Sequence, residues 1–165
     1  MTDIPEKIAI LLSGIPATRK STFGRYLARE HGFAHYDLEC HPRGWPIPDL
    51  KSVWDRNRPE FIAQLRKHHD RIALDWGFPV DCLSRVEELR NQRVELIWFN
   101  GDIDSARSAF EKRGGLDVRS FDHQVAAIKK AGYPASLRCV IVEALSPGAV
   151  YLRCPEIVEQ VFTSL

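Results

Sequence analysis

The chain has 165 residues, one domain's worth at roughly 100–200 residues per domain. Hydrophobic residues make up 44% and charged residues 27%, the mixture of a globular protein with one sizeable core. Lys and Arg total 23 against 22 for Asp and Glu, with both signs spread along the chain. That balance excludes a strongly basic nucleic-acid binder and an acidic tail, though not a local basic patch.

No apolar run approaches the roughly 18 residues of a membrane span. The opening Met1-Thr2-Asp3-Ile4-Pro5-Glu6-Lys7 places acids before a short apolar stretch, the wrong order for a secretory signal. A cytoplasmic protein with no membrane partner is expected. Cys40, Cys82, Cys139 and Cys154 form no Cys-x-x-Cys pair, so reduced, mostly buried thiols are expected. His68 and His69 are adjacent, and neighbouring helical residues point in different directions, so no protein-built metal cage is expected.

Apolar strands alternate with helices. Lys7–Leu12 is a nearly continuous apolar run, as in a strand buried on both faces of a parallel sheet. A helix from about Lys20 to His31 follows, with Phe23 and Leu27 on one face and Gly32 as its stop. Phe33–Asp37 reads as a second strand, and Cys40 to Arg58 as a Pro- and Trp-rich irregular segment. Pro59 suits a helix first turn, with Phe61, Ile62 and Leu65 inward. Ile72–Asp75 is a third strand, followed by a helix from about Val80 carrying Leu83, Val86 and Leu89. Arg93–Phe99 is a fourth strand, and a helix with Ala106, Ala109 and Phe110 runs to Arg113-Gly114-Gly115. Ser120 is the expected cap of a helix with Phe121, Val125 and Ile128 inward, ended by Gly132 and Pro134. Leu137–Glu143 is a fifth strand, and Pro155 starts a closing helix. Five strands alternating with helices predict an α/β domain with a mostly parallel sheet.

Between the first strand and first helix lies Gly14-Ile15-Pro16-Ala17-Thr18-Arg19-Lys20-Ser21-Thr22. It matches the phosphate-loop pattern G-x-x-x-x-G-K-[ST] at Gly14, Lys20 and Ser21. Such a loop wraps backbone N–H groups around phosphate, and the helix N-terminus adds its positive dipole end. Lys20 would reach the outer phosphates, and the Ser21 hydroxyl would ligate magnesium.

With this loop the chain resembles the small P-loop kinases of the shikimate kinase, gluconate kinase and adenylate kinase group. The resemblance extends over nearly the whole length, through Asp37, Asp75, the helix leading to Arg113, and a last strand before a terminal helix. It implies a three-layer α/β/α P-loop fold with a five-stranded sheet, and transfer of the terminal phosphate of ATP, with Mg2+, to a small molecule or nucleotide. Arg19 stands where the family has its second glycine, a degenerate Walker A loop, and Ala17 replaces another frequent glycine. Arg19 either strains the loop by about 1–3 kcal/mol or adds a phosphate contact.

By the same resemblance Asp37 serves the acceptor hydroxyl, with Glu39 as its alternative, and Asp75 resembles the Walker B acid that assists magnesium. A bare capping or strand-end acid is the competing reading of each. Arg113 would close a lid over the phosphates at about residues 111–120, with Gly114 and Gly115 as hinge. Arg107 would lie near the nucleotide, or simply on a solvated helix face, and Arg119 is a further lid candidate. The acceptor region is expected at about 40–70, where Arg43, Trp45, Lys51, Trp54, Arg56, Arg58, Arg66, Lys67, His68 and His69 mix cations with aromatics. That mixture suits an anionic or partly planar acceptor. Three functions follow: a small-molecule kinase, a nucleoside monophosphate kinase, or a silent nucleotide-binding module with a protein partner.

Overall fold

The computed structural model describes residues 2–39 and 42–165. Among these residues six strands form one sheet: β1 Ile8–Gly14, β2 Ala34–Asp37, β3 Arg71–Asp75, β4 Val94–Gly101, β5 Val140–Ser146 and β6 Val150–Tyr151. Their spatial order is β2-β3-β1-β4-β5-β6, parallel except for the antiparallel β6 at the edge. The expected five strands are present, and β6 is a sixth. It pairs through Leu145 with Tyr151 and Ser146 with Val150 around Pro147-Gly148-Ala149.

Among the described residues seven α-helices cover the sheet: α1 Lys20–His31, α2 Lys51–Arg56, α3 Arg58–His68, α4 Leu83–Asn91, α5 Ile103–Arg113, α6 Val118–Ala131 and α7 Cys154–Ser164. Alternation along the buried strands divides the core. Leu11, Leu74, Leu96 and Trp98 pack on one face with Phe61, Leu65, Leu89, Phe110 and Phe121. Ile10, Leu12, Ala73 and Phe99 pack on the other with Phe23, Leu27, Ile157 and Val161. Burying each of the leucine, isoleucine, valine and phenylalanine side chains contributes about 1.5–3 kcal/mol, and the two clusters make the three α/β/α layers.

Two local expectations are corrected. The segment before Arg58 is not wholly irregular: short helical turns at Pro42–Gly44 and Pro48–Leu50 lead into α2, while Cys40 and His41 lie outside the described residues. The cap of α6 is Asp117 rather than Ser120, because the Asp117 carboxylate accepts from Arg119 N at 2.9 Å. Cys82, Cys139 and Cys154 are free thiols. Among the described residues no helix is long and apolar enough to cross a membrane.

β1 lies centrally, between β3 and β4, and the chain leaves the C-terminal end of β1 toward β2 on one side but that of β3 toward β4 on the other. Open α/β sheets place their ligand sites at this crevice.

Candidate functional site

Over the C-terminal ends of the strands opens a cleft of about 1130 Å³. The loop between β1 and α1 forms its floor. Gly14 is required there: its φ is +129°, and an added Cβ would lie 2.2 Å from the Phe99 carbonyl oxygen. Ile15 N donates to that oxygen at 2.9 Å, tying the loop to β4. The Ile15 carbonyl accepts from Thr18 Oγ1 at 2.7 Å and from Lys20 Nζ at 2.9 Å, so the loop closes on itself.

Arg19 has φ 66° and ψ 34°, left-handed helical backbone, and its carbonyl accepts from Phe23 N at 3.0 Å to begin α1. This is the conformation a glycine would enter freely, and for arginine it costs about 1–2 kcal/mol. The side chain turns outward and lies over the Tyr151 ring, with its guanidinium carbon 3.7 Å from the centroid. A cation–π contact contributes about 0.5–2 kcal/mol, comparable to the backbone cost. Tyr151 Oη also donates to the Ala17 carbonyl at 3.0 Å, and Ala149 N donates to Ser105 Oγ at 3.2 Å. The β5–β6 hairpin thus braces the loop through Tyr151, which itself lines the cleft.

Lys20 is buried. Burial pulls its ammonium pKa below the usual lysine value, while Asp75 and Glu39 oppose that shift. Asp75, at the end of β3, is 1% exposed. Its Oδ2 lies 3.4 Å from His35 Nε2, and neither atom has a hydrogen-bond partner. Asp37 ends β2 in register with Asp75. Its Oδ1 accepts from Glu39 N at 3.0 Å, a turn that carries the chain back over the sheet edge. Glu39 Oε1 then accepts from Gly77 N at 3.0 Å. Glu39 is exposed overall, but its carboxyl sits in the cleft, where burial raises its pKa and Lys20 opposes the rise.

The cleft therefore brings together Pro16, Ala17, Arg19, Lys20, Ser21, Thr22, Asp37, Glu39, Asp75 and Arg113. Gly14, Ile15 and Thr18 are buried beneath it as loop framework. Arg107 does not line it: its guanidinium makes two contacts to the Asp122 carboxylate, at 2.8 and 3.0 Å, on the α5–α6 surface. Arg119 is likewise held by Asp117.

Among the described residues of 42–70, none lines the cleft. Trp45 and Trp54 are core residues, and Trp45 Nε1 donates to the Asp37 carbonyl at 2.7 Å. Lys51 pairs with Asp55 and Arg58 with Glu88, while Arg66 donates to the Gln92 carbonyl. His69 contacts the Tyr36 hydroxyl at 2.8 Å, and buried Tyr36 has its pKa pushed up to about 12. His68 and His69 line a separate depression with Asp70 and Arg71, at the start of β3.

Sequence reasoning missed Arg25, Trp76, Gly77, Ser105, Ser108, Lys112, Gln124 and Tyr151 as cleft residues. Tyr151 had a readable signal: Ser146-Pro147-Gly148-Ala149 between two apolar runs is a hairpin turn.

Neither a family model nor a curated protein matches this sequence. Its fold does match solved structures. A gluconokinase from Sinorhizobium meliloti 1021 aligns with a TM-score of 0.61 at 15% identity, over 97% of this chain and 92% of the other. A sugar kinase from Janibacter sp. HTCC2649 gives 0.63 at 14% identity, over 93% and 91%. A shikimate kinase from Bacteroides thetaiotaomicron gives 0.55 at 16%, over 83% and 86%. What this chain shares with these P-loop kinases is the fold, an α/β architecture around a mostly parallel sheet.

Proposed function

We propose that this chain is an ATP-dependent phosphotransferase acting on a small-molecule hydroxyl. The observation that carries the reading is a closed phosphate-type loop with buried Lys20 at its end, in one cleft with Asp75 and Glu39. The likeness in fold to sugar, gluconate and shikimate kinases points the same way.

In this reading the loop amides and the α1 N-terminus hold the phosphates, and Lys20 neutralises their outer oxygens. The residues present fit magnesium: Ser21 supplies a hydroxyl in the cleft, and Asp75 Oδ2 is a buried carboxylate oxygen lacking a hydrogen-bond partner. Magnesium, held by one or two protein groups and the phosphates, would supply charge neutralisation. The acceptor oxygen bonds to the terminal phosphorus as the bond to the ADP oxygen breaks. Its proton passes to a carboxylate. We assign that carboxylate to Glu39, aimed by the Asp37 turn, because its raised pKa and proximity to Lys20 suit a base at the transferring phosphate. Arg113 and Lys112 enter from the end of α5, beside a Gly114-Gly115 pair at φ 71° and 87°, as the arm that closes on the phosphates. Arg19 lies against the Tyr151 ring, and both side chains line the cleft beside the loop. The proposed setting is cytoplasmic, with no nucleic-acid or membrane partner.

The test is MgATP binding by calorimetry, followed by detection of phosphorylated product against panels of sugars, alcohols and nucleoside monophosphates. Binding that Lys20→Ala removes, with transfer to a hydroxyl compound, supports the reading. Absence of MgATP binding to the folded protein overturns it, and transfer confined to nucleotides makes it a nucleotide kinase.

A further inference from the structure

Below the cleft, α1 meets the sheet through a glycine. Alternation along β2 puts Ala34 and Tyr36 into one core and turns His35 and Asp37 to the opposite face, toward α1. In register beside them, β3 turns Ala73 and Asp75 to that same face. Gly24 lies in the interior of α1, where glycine costs a helix about 0.5–1 kcal/mol relative to alanine. A Cβ added there would lie 2.4 Å from His35 Nε2 and 2.5 Å from His35 Cδ2. The missing methyl is the space that the imidazole occupies.

The ring admitted in this way ends at Asp75. His35 Nε2 stands 3.4 Å from Asp75 Oδ2, with the two side chains 12% and 1% exposed, and neither atom has a hydrogen-bond partner. Each buried polar atom left in that state costs about 1–3 kcal/mol. A movement of roughly 0.5 Å brings the two to hydrogen-bond distance, and such bonds tighten when a ligand fills a site. A carboxylate has about four lone-pair directions, so Asp75 can accept from an imidazole N–H and still turn a lone pair to the cleft it lines. Lys20 acts on the same carboxylate from α1, one helical turn before Gly24. Asp75 is thus reached by an ammonium from α1 and an imidazole from β2.

We infer that His35 is a positioning residue, whose Nε2–H fixes the Asp75 carboxylate in the orientation that magnesium requires. This inference rests on the phosphotransferase reading, which gives Asp75 to magnesium, and adds what aims that ligand. Magnesium demands near-octahedral geometry, so a carboxylate free to rotate would hold it poorly. Outer partners that orient a metal ligand are worth about 10- to 100-fold in metal affinity. His35 does not itself line the cleft, so it acts on bound nucleotide only through Asp75.

The experiment measures ADP binding by calorimetry twice for each chain, with saturating Mg2+ and with Mg2+ chelated. The ratio of the two affinities isolates the share that the metal supplies and needs no turnover. His35→Leu is expected to lower that ratio by about 10- to 100-fold while metal-free ADP affinity stays within about twofold of the natural chain. His35→Gln, whose amide N–H reaches about as far along the side chain as Nε2, is expected to restore most of it. Gly24→Ala keeps the imidazole but crowds it away from Asp75, so it is expected to lower the ratio as well. That variant, with its fold checked by circular dichroism, carries the test should His35→Leu fail to fold. An unchanged ratio in either folded variant overturns the inference and leaves the phosphotransferase reading standing. So does a loss of ADP affinity that is equal with and without Mg2+, or a His35→Gln variant no better than His35→Leu. A natural chain whose ADP affinity ignores Mg2+ takes Asp75 away from the metal and overturns the inference by that route. Failure of the natural chain to bind ADP under either condition is the separate outcome that removes the underlying reading.

Discussion

The guanidinium of Arg19 lies 3.7 Å from the centre of the Tyr151 ring, joining the first loop of the chain to its last strand. The same tyrosine donates its hydroxyl to the Ala17 carbonyl at 3.0 Å. Ala17 and Arg19 both have positive φ, 61° and 66°, at sites where glycine would be unstrained. Tyr151 thus contacts both strained residues, and the loop keeps its shape without the second glycine of the usual pattern.

Separate substitutions resolve the two contacts. Tyr151→Phe keeps the ring under Arg19 and loses one hydrogen bond, expected to cost about 0.5–1.5 kcal/mol of stability. Tyr151→Ala loses both contacts and is expected to weaken MgATP binding by about tenfold or more, as the loop is released. Arg19→Gly removes the backbone cost together with the stack, so its stability should lie within about 1 kcal/mol of the natural chain. Denaturant unfolding and calorimetry on the four-member Arg19/Tyr151 double-mutant cycle check this, with a coupling of about 0.5–1 kcal/mol expected. A tenfold gain in MgATP affinity for Arg19→Gly would show that arginine obstructs the loop.

Gly14→Ala should be severe for a different reason. The new methyl would sit 2.2 Å from the Phe99 carbonyl oxygen and 2.6 Å from Phe99 N, both backbone atoms of the central strand β4. Backbone cannot step aside as a flexible side chain would, and the φ of +129° adds strain. A loss of more than about 3 kcal/mol in urea unfolding is expected. Near-natural stability would mean that β1 and β4 separate more easily than their pairing implies.

Lys20 couples binding to stability. Its ammonium is buried, and burial lowers its pKa below that of the unfolded chain. Between the lowered value and the ordinary 10.5, the unfolded state holds a proton that the folded state has released, so stability rises with pH across that window. Lys20→Met removes this rise and should unfold at or above the natural temperature near neutral pH. The same variant should lose about 10- to 150-fold in MgATP affinity, the worth of a hydrogen bond to a charged group. Thermal unfolding across pH and calorimetry measure the two halves. A destabilised Lys20→Met variant would mean that its bond to Ile15 O outweighs the cost of burying the charge.

The architecture was legible because the apolar runs of β1, β3 and β4 are buried on both faces and their helices carry clear stops. The phosphate loop was legible for the same reason, as three residue types at fixed spacing between a strand and a helix. Partnership was not. Arg58, Arg66 and Arg107 read as available cations, yet each is engaged by a group 15 to 30 positions away, which spacing cannot reveal. Trp45 and Trp54 read as acceptor-side aromatics, but their size and apolarity serve the core equally well. The two-residue β6 carries almost no period of its own, so Tyr151 went unnoticed.

The choice between Asp37 and Glu39 has a pH signature. Burial raises the Glu39 pKa above its ordinary 4.5, against the pull of Lys20. A base must be ionised to accept the acceptor proton, so kcat/KM should climb as pH rises through that raised value and then level off. Glu39→Gln should abolish this limb and lower the plateau by about 10²–10⁴-fold, the usual contribution of general base catalysis. Asp37→Asn keeps an oxygen that can accept from Glu39 N at the turn, so it should retain the limb and lose less activity. Arg107→Ala serves as a control, with MgATP affinity unchanged, because its guanidinium is bound to Asp122 outside the cleft. If the limb survives in Glu39→Gln and disappears in Asp37→Asn, the base is Asp37 and Glu39 only positions Gly77.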